Sequence, residues 1–148
     1  MVTSRKPPAA ADAQGTADAA GCVIVWPYDV FEARCPTRMV LDRIADKWAV
    51  LILHRLREGP VRFNHLRRDI KGISQKVLSQ TLKKLERDGM ISRAVFPTVP
   101  VTVEYALTSL GRTLTDAVAA LTHWAERNMD EVLAAQAAYD ARGAGGAR

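Results

Sequence analysis

Residues 73–90 read ISQKVLSQTLKKLERDGM, and this pattern leaves little room for anything but an amphipathic helix. Ser74 suits the N-cap, where a hydroxyl accepts from an orphan backbone N–H two or three residues on. Gly89 suits the left-handed position that closes a helix. At roughly 100° per residue, Leu78, Leu82 and Leu85 fall on one side, with Val77 and Thr81 at its margin. Gln75, Lys76, Ser79, Gln80, Lys83, Lys84 and Arg87 fall on the other. A surface helix ordinarily mixes Glu with Lys to gain i,i+4 pairs, yet here the acids are Glu86 and Asp88, both at the end. A face of donors and cations suits an anion, and the leucine face demands a core to cover it.

The flanking segments supply that core. In RCPTRMVLDRIADKWAVLILHRLREGP, Pro36 fits the first helical position and leaves Cys35 as N-cap. Met39, Leu41 and Ile44 mark a short helix. A second carries Trp48, Leu51, Ile52 and Leu56 on one face, and Gly59-Pro60 stops it. RFNHLRRDI gives a third helix with Phe63, Leu66 and Ile70 inward, and Lys71-Gly72-Ile73 turns into the Ser74 helix. A helix, a tight turn and a polar cationic helix form a helix-turn-helix, whose second helix enters the major groove of DNA.

Next, ISRAVFPTVPVTVEYAL holds two β-prone runs broken by Pro97 and Pro100, the second alternating Val101, Val103, Tyr105, Leu107. A hairpin at this place is a wing. A long helix then begins near TSLGRTL, with Leu110, Leu114, Val118, Leu121, Ala125, Met129 and Val132 at helical spacing. This apolar stripe exceeds what a winged-helix core needs, and such a surplus is the mark of a dimer seam. The expected fold is mainly α with a small β-hairpin wing (α+β): a winged helix-turn-helix with N- and C-terminal dimerisation helices.

Charge is concentrated in the same place. The chain of 148 residues has net charge +5 and a pI near 9.6. Between Lys47 and Arg93 stand twelve Lys and Arg against four Asp and Glu, whereas the rest carries nine against twelve. That asymmetry points to nucleic acid. The length fits one domain with appendages, and the 48% apolar content is ample for its core. Residues 1–21, rich in Ala, Pro, Gly and Asp, read as a disordered tail. Residues 22–34 form an apolar arm, 35–138 the winged domain with its C-terminal helix, and 139–148 a flexible tail. Two cysteines are too few for a secreted disulfide scaffold. No stretch approaches the roughly 20 apolar residues of a membrane span, and the N-terminus lacks a signal-peptide apolar run. A cytoplasmic location without membrane contact is expected.

Duplex DNA asks for cations at its phosphates and for amides or hydroxyls at its base edges. Gln75, Lys76, Ser79 and Gln80 occupy the first turns of the Ser74 helix, where bases are read. Lys83, Arg62 and Asn64 are placed for phosphate, and the backbone N–H groups near Ser74 favour one too. Arg93 and the wing tip at Thr98 and Val99 reach towards an adjacent minor groove.

Cys35 is the other candidate. A thiol at a helix N-cap feels the positive end of the dipole, and Arg34 and Arg38 adjoin it, so both effects favour the thiolate. A thiolate can pass to sulfenic acid or to a disulfide, with Cys22 as the second thiol. The competing reading is a small, inert, packed residue. The three histidines, His54, His65 and His123, lack the spacing of a zinc site. No nucleophile turn or glycine-rich phosphate loop occurs. No catalytic, metal or cofactor site is expected, and the chain does not read as an enzyme.

The Cys-Pro start, DKWAVLIL, GPVRFNHLRR, GISQKVLSQTLKKLERDG and VEYALTSLGR together resemble the HxlR-type winged-helix transcriptional regulators of bacteria, relatives of the MarR regulators. The resemblance runs from about Cys35 to Trp124. It implies a homodimer that binds double-stranded DNA and acts on its own or a neighbouring operon. In several members the cysteine at the Cys35 position looks like a sensor of oxidants, quinones or aldehydes. The long N-terminal extension and Cys22 depart from the usual pattern. The expected function is repression at a pseudo-palindromic operator, with half-sites about one helical turn apart, relieved by an oxidant or small-molecule inducer. Two alternatives are a regulator that senses a hydrophobic ligand with Cys35 inert, and a winged-helix module for protein–protein assembly.

Overall fold

A computed structural model describes residues 27–144. The chain divides after Leu41 into an N-terminal unit and a body.

In the N-terminal unit, residues 27–34 run as bends and turns. Arg38 reaches back to hold them, its Nε donating to the Val30 carbonyl at 3.0 Å and its Nη2 to the Phe31 carbonyl at 3.1 Å. Helix α1 spans Thr37–Ile44, its first turn opened by the Arg38 N–H donating to the Cys35 carbonyl. Met39, Val40 and Leu41 are exposed.

The body contains α2 (Lys47–Leu56), β1 (Val61–Arg62), α3 (Phe63–Asp69), α4 (Gln75–Arg87), β2 (Ile91–Phe96), β3 (Thr102–Leu107) and α5 (Ser109–Ala144). The three strands form an antiparallel sheet in the order β1-β3-β2. The hairpin is the expected wing. The third strand is an addition: Val61 and Arg62 pair with Tyr105 and Glu104, and two residues are too few to show a period of two.

The core gathers Ala49, Ile52, Leu53 and Leu56 of α2, Leu66 of α3, Leu78, Leu82 and Leu85 of α4, Ile91, Tyr105 and Leu107 of the wing base, and Val118 of α5. On α2 the buried stripe differs from the expected one. Leu51 is exposed, Trp48 is only half-buried, and Ala49 and Leu53 point inward instead. The sequence KWAVLILHRL is apolar on nearly every side, so neighbouring elements choose its inward face. The chosen one follows i, i+3, i+4, i+7.

At the junction of wing and α5 the backbones nearly touch. A Cβ on Gly111 would run into the Met90 carbonyl. Thr108 secures the approach: its hydroxyl donates to the Gly89 carbonyl at 2.6 Å and accepts from the Gly111 N–H at 3.0 Å. From there α5 runs for 36 residues, about 54 Å at 1.5 Å per residue. Its buried residues are Gly111, Thr115, Val118 and Ala119. The helix continues to Ala144, through residues 139–144 of the segment expected to fray; the run AAQAA at 134–138, which leads into them, favours helix on propensity.

Replacing Gly111 with Ala must push α5 off Met90. The variant is expected to lose about 2 kcal/mol or more, in the range of overpacked sites, measured by urea unfolding. Unchanged stability would show that the junction yields freely.

Candidate nucleic-acid interface

Helix α4 is bounded at both ends by its own sequence. Ser74, in extended conformation, caps it, its Oγ accepting from the Val77 N–H at 3.1 Å. At the other end Gly89 takes φ +74°, the Gly89 N–H donates to the Glu86 carbonyl and the Met90 N–H to the Leu85 carbonyl. Those are the two bonds of a Schellman stop. Between them Leu78, Leu82 and Leu85 are at most 1% exposed. Thr81 is buried as well and its hydroxyl donates to the Val77 carbonyl at 2.8 Å, satisfied within the helix.

The opposite face therefore points to solvent. Gln75, Lys76, Gln80, Lys83, Lys84 and Arg87 are exposed, and Ser79 is half-buried. Asp88 is drawn off this face by Arg43, whose Nε donates to Asp88 Oδ2 at 2.6 Å. Some cations elsewhere in the body have carboxylate partners: Arg55 holds Asp69 at 2.9 Å and Glu58 at 3.2 Å, and Arg57 holds Asp116 at 3.4 Å. Among the described residues no carboxylate lies within 4.0 Å of the nitrogens of Lys76, Lys83, Lys84 or Arg87.

The remaining sequence candidates are spread around α4. Arg62 is the N-cap of α3 and Asn64 lies in its first turn, both exposed. Arg93 is exposed on β2. Thr98 and Val99 sit at the tip of the hairpin, where the Thr98 hydroxyl donates to the Pro100 carbonyl at 2.8 Å. One residue escaped the sequence reading. Arg67, near the end of α3, donates through Nη1 to Gln75 Oε1 at 3.4 Å. Only the angle between α3 and α4 brings these two together, and no spacing in the sequence reveals that angle.

Cys35 is half-buried, with its Sγ 3.0 Å from Thr37 Oγ1. Cys22, its suggested partner, lies outside the described residues, as does the 1–21 tail. His54 and His123 come together edge-to-face at 6.3 Å between ring centres. Among the described residues no group of His, Cys, Asp or Glu is placed to hold a metal ion, and no helix is long and apolar enough to cross a membrane.

Residues 43–133 match the HxlR-like helix-turn-helix family. The HTH-type transcriptional regulator YtfH of Escherichia coli is 50% identical over 106 residues, covering 72% of this chain and 84% of that protein. The solved structure of the transcriptional regulator ytfH from Salmonella typhimurium superposes with a TM-score of 0.70 at 47% identity, over 74% of this chain and 97% of that one. The redox regulator HypR in its reduced form does so with a TM-score of 0.62 at 38% identity, over 67% and 98%. With the match spanning α2 to most of α5, this chain belongs to the HxlR-like helix-turn-helix family, whose members are DNA-binding transcriptional regulators and not enzymes.

Proposed function

We propose that this protein is a dimeric repressor of its own or a neighbouring operon that reads a pseudo-palindromic operator with α4 in the major groove. The outward face of α4, cationic and rich in amides with its one exposed acid, Glu86, in the last turn, carries this reading. Gln75, Lys76, Ser79 and Gln80 meet base edges, since amides and hydroxyls match their donor and acceptor patterns. Lys83, Arg62, Asn64, Arg93 and the N-terminus of α4 at Ser74 hold phosphates, which fixes register without reading sequence. Thr98 and Val99 lie in the flanking minor groove.

Dimerisation rests on α5. Past Ala119 its Leu121, Ala125, Met129 and Val132 share one face, on which Leu121 and Met129 are exposed, a stripe that a second copy related by a two-fold axis covers with its own. Such a pair sets two α4 helices at a fixed separation. Cys35 is the proposed switch. The likeness to HypR, a redox regulator, supports an oxidation-sensitive reading, and the start of α1 is where the thiol sits. Modification there changes dimer geometry and takes the two α4 helices out of step with the grooves.

Fluorescence anisotropy on a duplex from the upstream region tests the DNA roles. Lys83→Ala is expected to weaken binding alike on all sequences and to lower the salt slope by about one, whereas Gln80→Ala relaxes preference at one base pair at about 1–3 kcal/mol. Wild-type binding without salt dependence would sink the reading. In sedimentation, Leu121→Asp with Met129→Asp is expected to give monomers; a persisting dimer would place the seam elsewhere. Mild thiol oxidation is expected to weaken operator binding at least tenfold, about 1.4 kcal/mol, in the wild type and not in Cys35→Ser. Equal affinity of the oxidised and reduced wild type would transfer the switch to a non-covalent ligand.

A further inference from the structure

Arg67 and Gln75 meet across the turn between α3 and α4. Ile70 and Ile73, at the two ends of that turn, are buried, and Gly72 between them takes φ +86°. Leu66, the neighbour of Arg67, and Leu78, one turn beyond Gln75, are fully buried. The backbone under Arg67 and Gln75 is thus fixed by packing, and the freedom that is left lies in their long, exposed side chains.

Those side chains hold each other. The Arg67 guanidinium donates to Gln75 Oε1 at 3.4 Å. A guanidinium has donors alone, so the amide meets it only through oxygen. One oxygen lone pair and both N–H groups of Gln75 stay available, and that is the set an adenine edge takes, its N7 accepting and its N6–H donating. No carboxylate competes for Arg67. Among the described residues none lies within 4.0 Å of its nitrogens, whereas Arg43 is taken by Asp88 and Arg55 by Asp69 and Glu58. Among the described residues Gln75 is also the one outward side chain of α4 held by another element. Gln80, the second amide of that face, has no such partner.

We propose that Arg67 is a positioning residue for base recognition: it presets the amide of Gln75 and through it sharpens the choice at one base pair, while itself reading none. The inference rests on the DNA-reading role of α4 and deepens it. A free Gln gives up its rotamer freedom when it pairs with a base. Held by Arg67, Gln75 has lost part of that freedom before DNA arrives. Discrimination is a difference between right and wrong partners, and an amide that cannot turn to suit a wrong base widens that difference. Gln80, free to turn, accommodates a wrong base at less cost.

The test uses a duplex that the wild-type protein selects from a random-sequence pool, together with its single base-pair variants, titrated by anisotropy. Gln75→Ala and Gln80→Ala each identify the base pair at which preference collapses. Arg67→Met keeps the length of the side chain and removes its donors, at an exposed position that leaves the core intact. It is expected to lower the preference at the Gln75 base pair about tenfold, about 1.4 kcal/mol, and to leave that at the Gln80 base pair unchanged. In a Gln75→Ala background the same substitution is expected to move no preference, the mark of two residues acting as one. Unchanged preference in Arg67→Met would overturn the proposal. So would a loss spread evenly over every duplex with the salt slope lowered by about 0.9, which makes Arg67 a phosphate contact alone. A further loss of preference in the Gln75→Ala background would mean that Arg67 reads a base directly, and overturns it too. If the wild type selects no duplex, the DNA-reading role of α4 fails and this inference with it. A selected duplex on which Gln75→Ala changes no preference defeats this inference alone.

Discussion

Burial of Leu78, Leu82 and Leu85 is the constraint from which the rest of the structure follows. A helix has one rotational setting, so fixing its inward side fixes its outward side as well. Each leucine taken out of water contributes roughly 1.5–3 kcal/mol, and all three are essentially inaccessible. Turning α4 by one position would expose part of that face and bury the stem and charge of a neighbour such as Lys83, a change the core of Ile52, Leu53, Leu56 and Leu66 cannot absorb. The residues offered to DNA are thus held in direction by residues that never meet it.

The second constraint lies where α4 ends. The Gly89 stop, the Thr108 hydroxyl on the Gly89 carbonyl and the close approach of Gly111 to Met90 join α4, wing and α5 within a few residues. Arg43 adds an ion pair to Asp88 at the same end. A displacement of α5 therefore cannot be absorbed by a slack linker, and it is passed to the C-terminal end of α4 and the root of the wing. In the proposed dimer that junction turns a change along the α5 seam into a change in the spacing of two reading helices.

Most of this was legible in the sequence where a pattern recurs often enough to have only one solution. Thirteen residues of α4 with both caps, and a hairpin with alternating Val103, Tyr105 and Leu107, state their structure locally. Helix α2 does not, because a ten-residue helix that is apolar nearly all round fits several settings, and its packing preferred Ala49 and Leu53 to Leu51. Strand β1 exists only through its pairing with β3. The Arg67–Gln75 hydrogen bond depends on an interhelical angle, a property of packed volumes rather than of spacing. Sequence therefore named the outward residues of α4 but not the neighbour that orients the first of them.

Helix α5 poses the remaining energetic question, and its answer bears on what the functional unit is. Burial within the body ends at Ala119, yet the helix goes on to Ala144 with Leu121, Trp124, Met129 and Leu133 exposed. Long helices gain most of their stability from packing one face, and propensity alone leaves them marginal in water. Alanine-rich composition helps the far end, but it does nothing for a Trp and three large aliphatic side chains left in solvent. If a second chain covers the side that carries Leu121 and Met129, as proposed, part of the fold is completed only on association, and stability depends on protein concentration. DNA reading then inherits the same dependence, because a single α4 meets one half-site and the pair meets both.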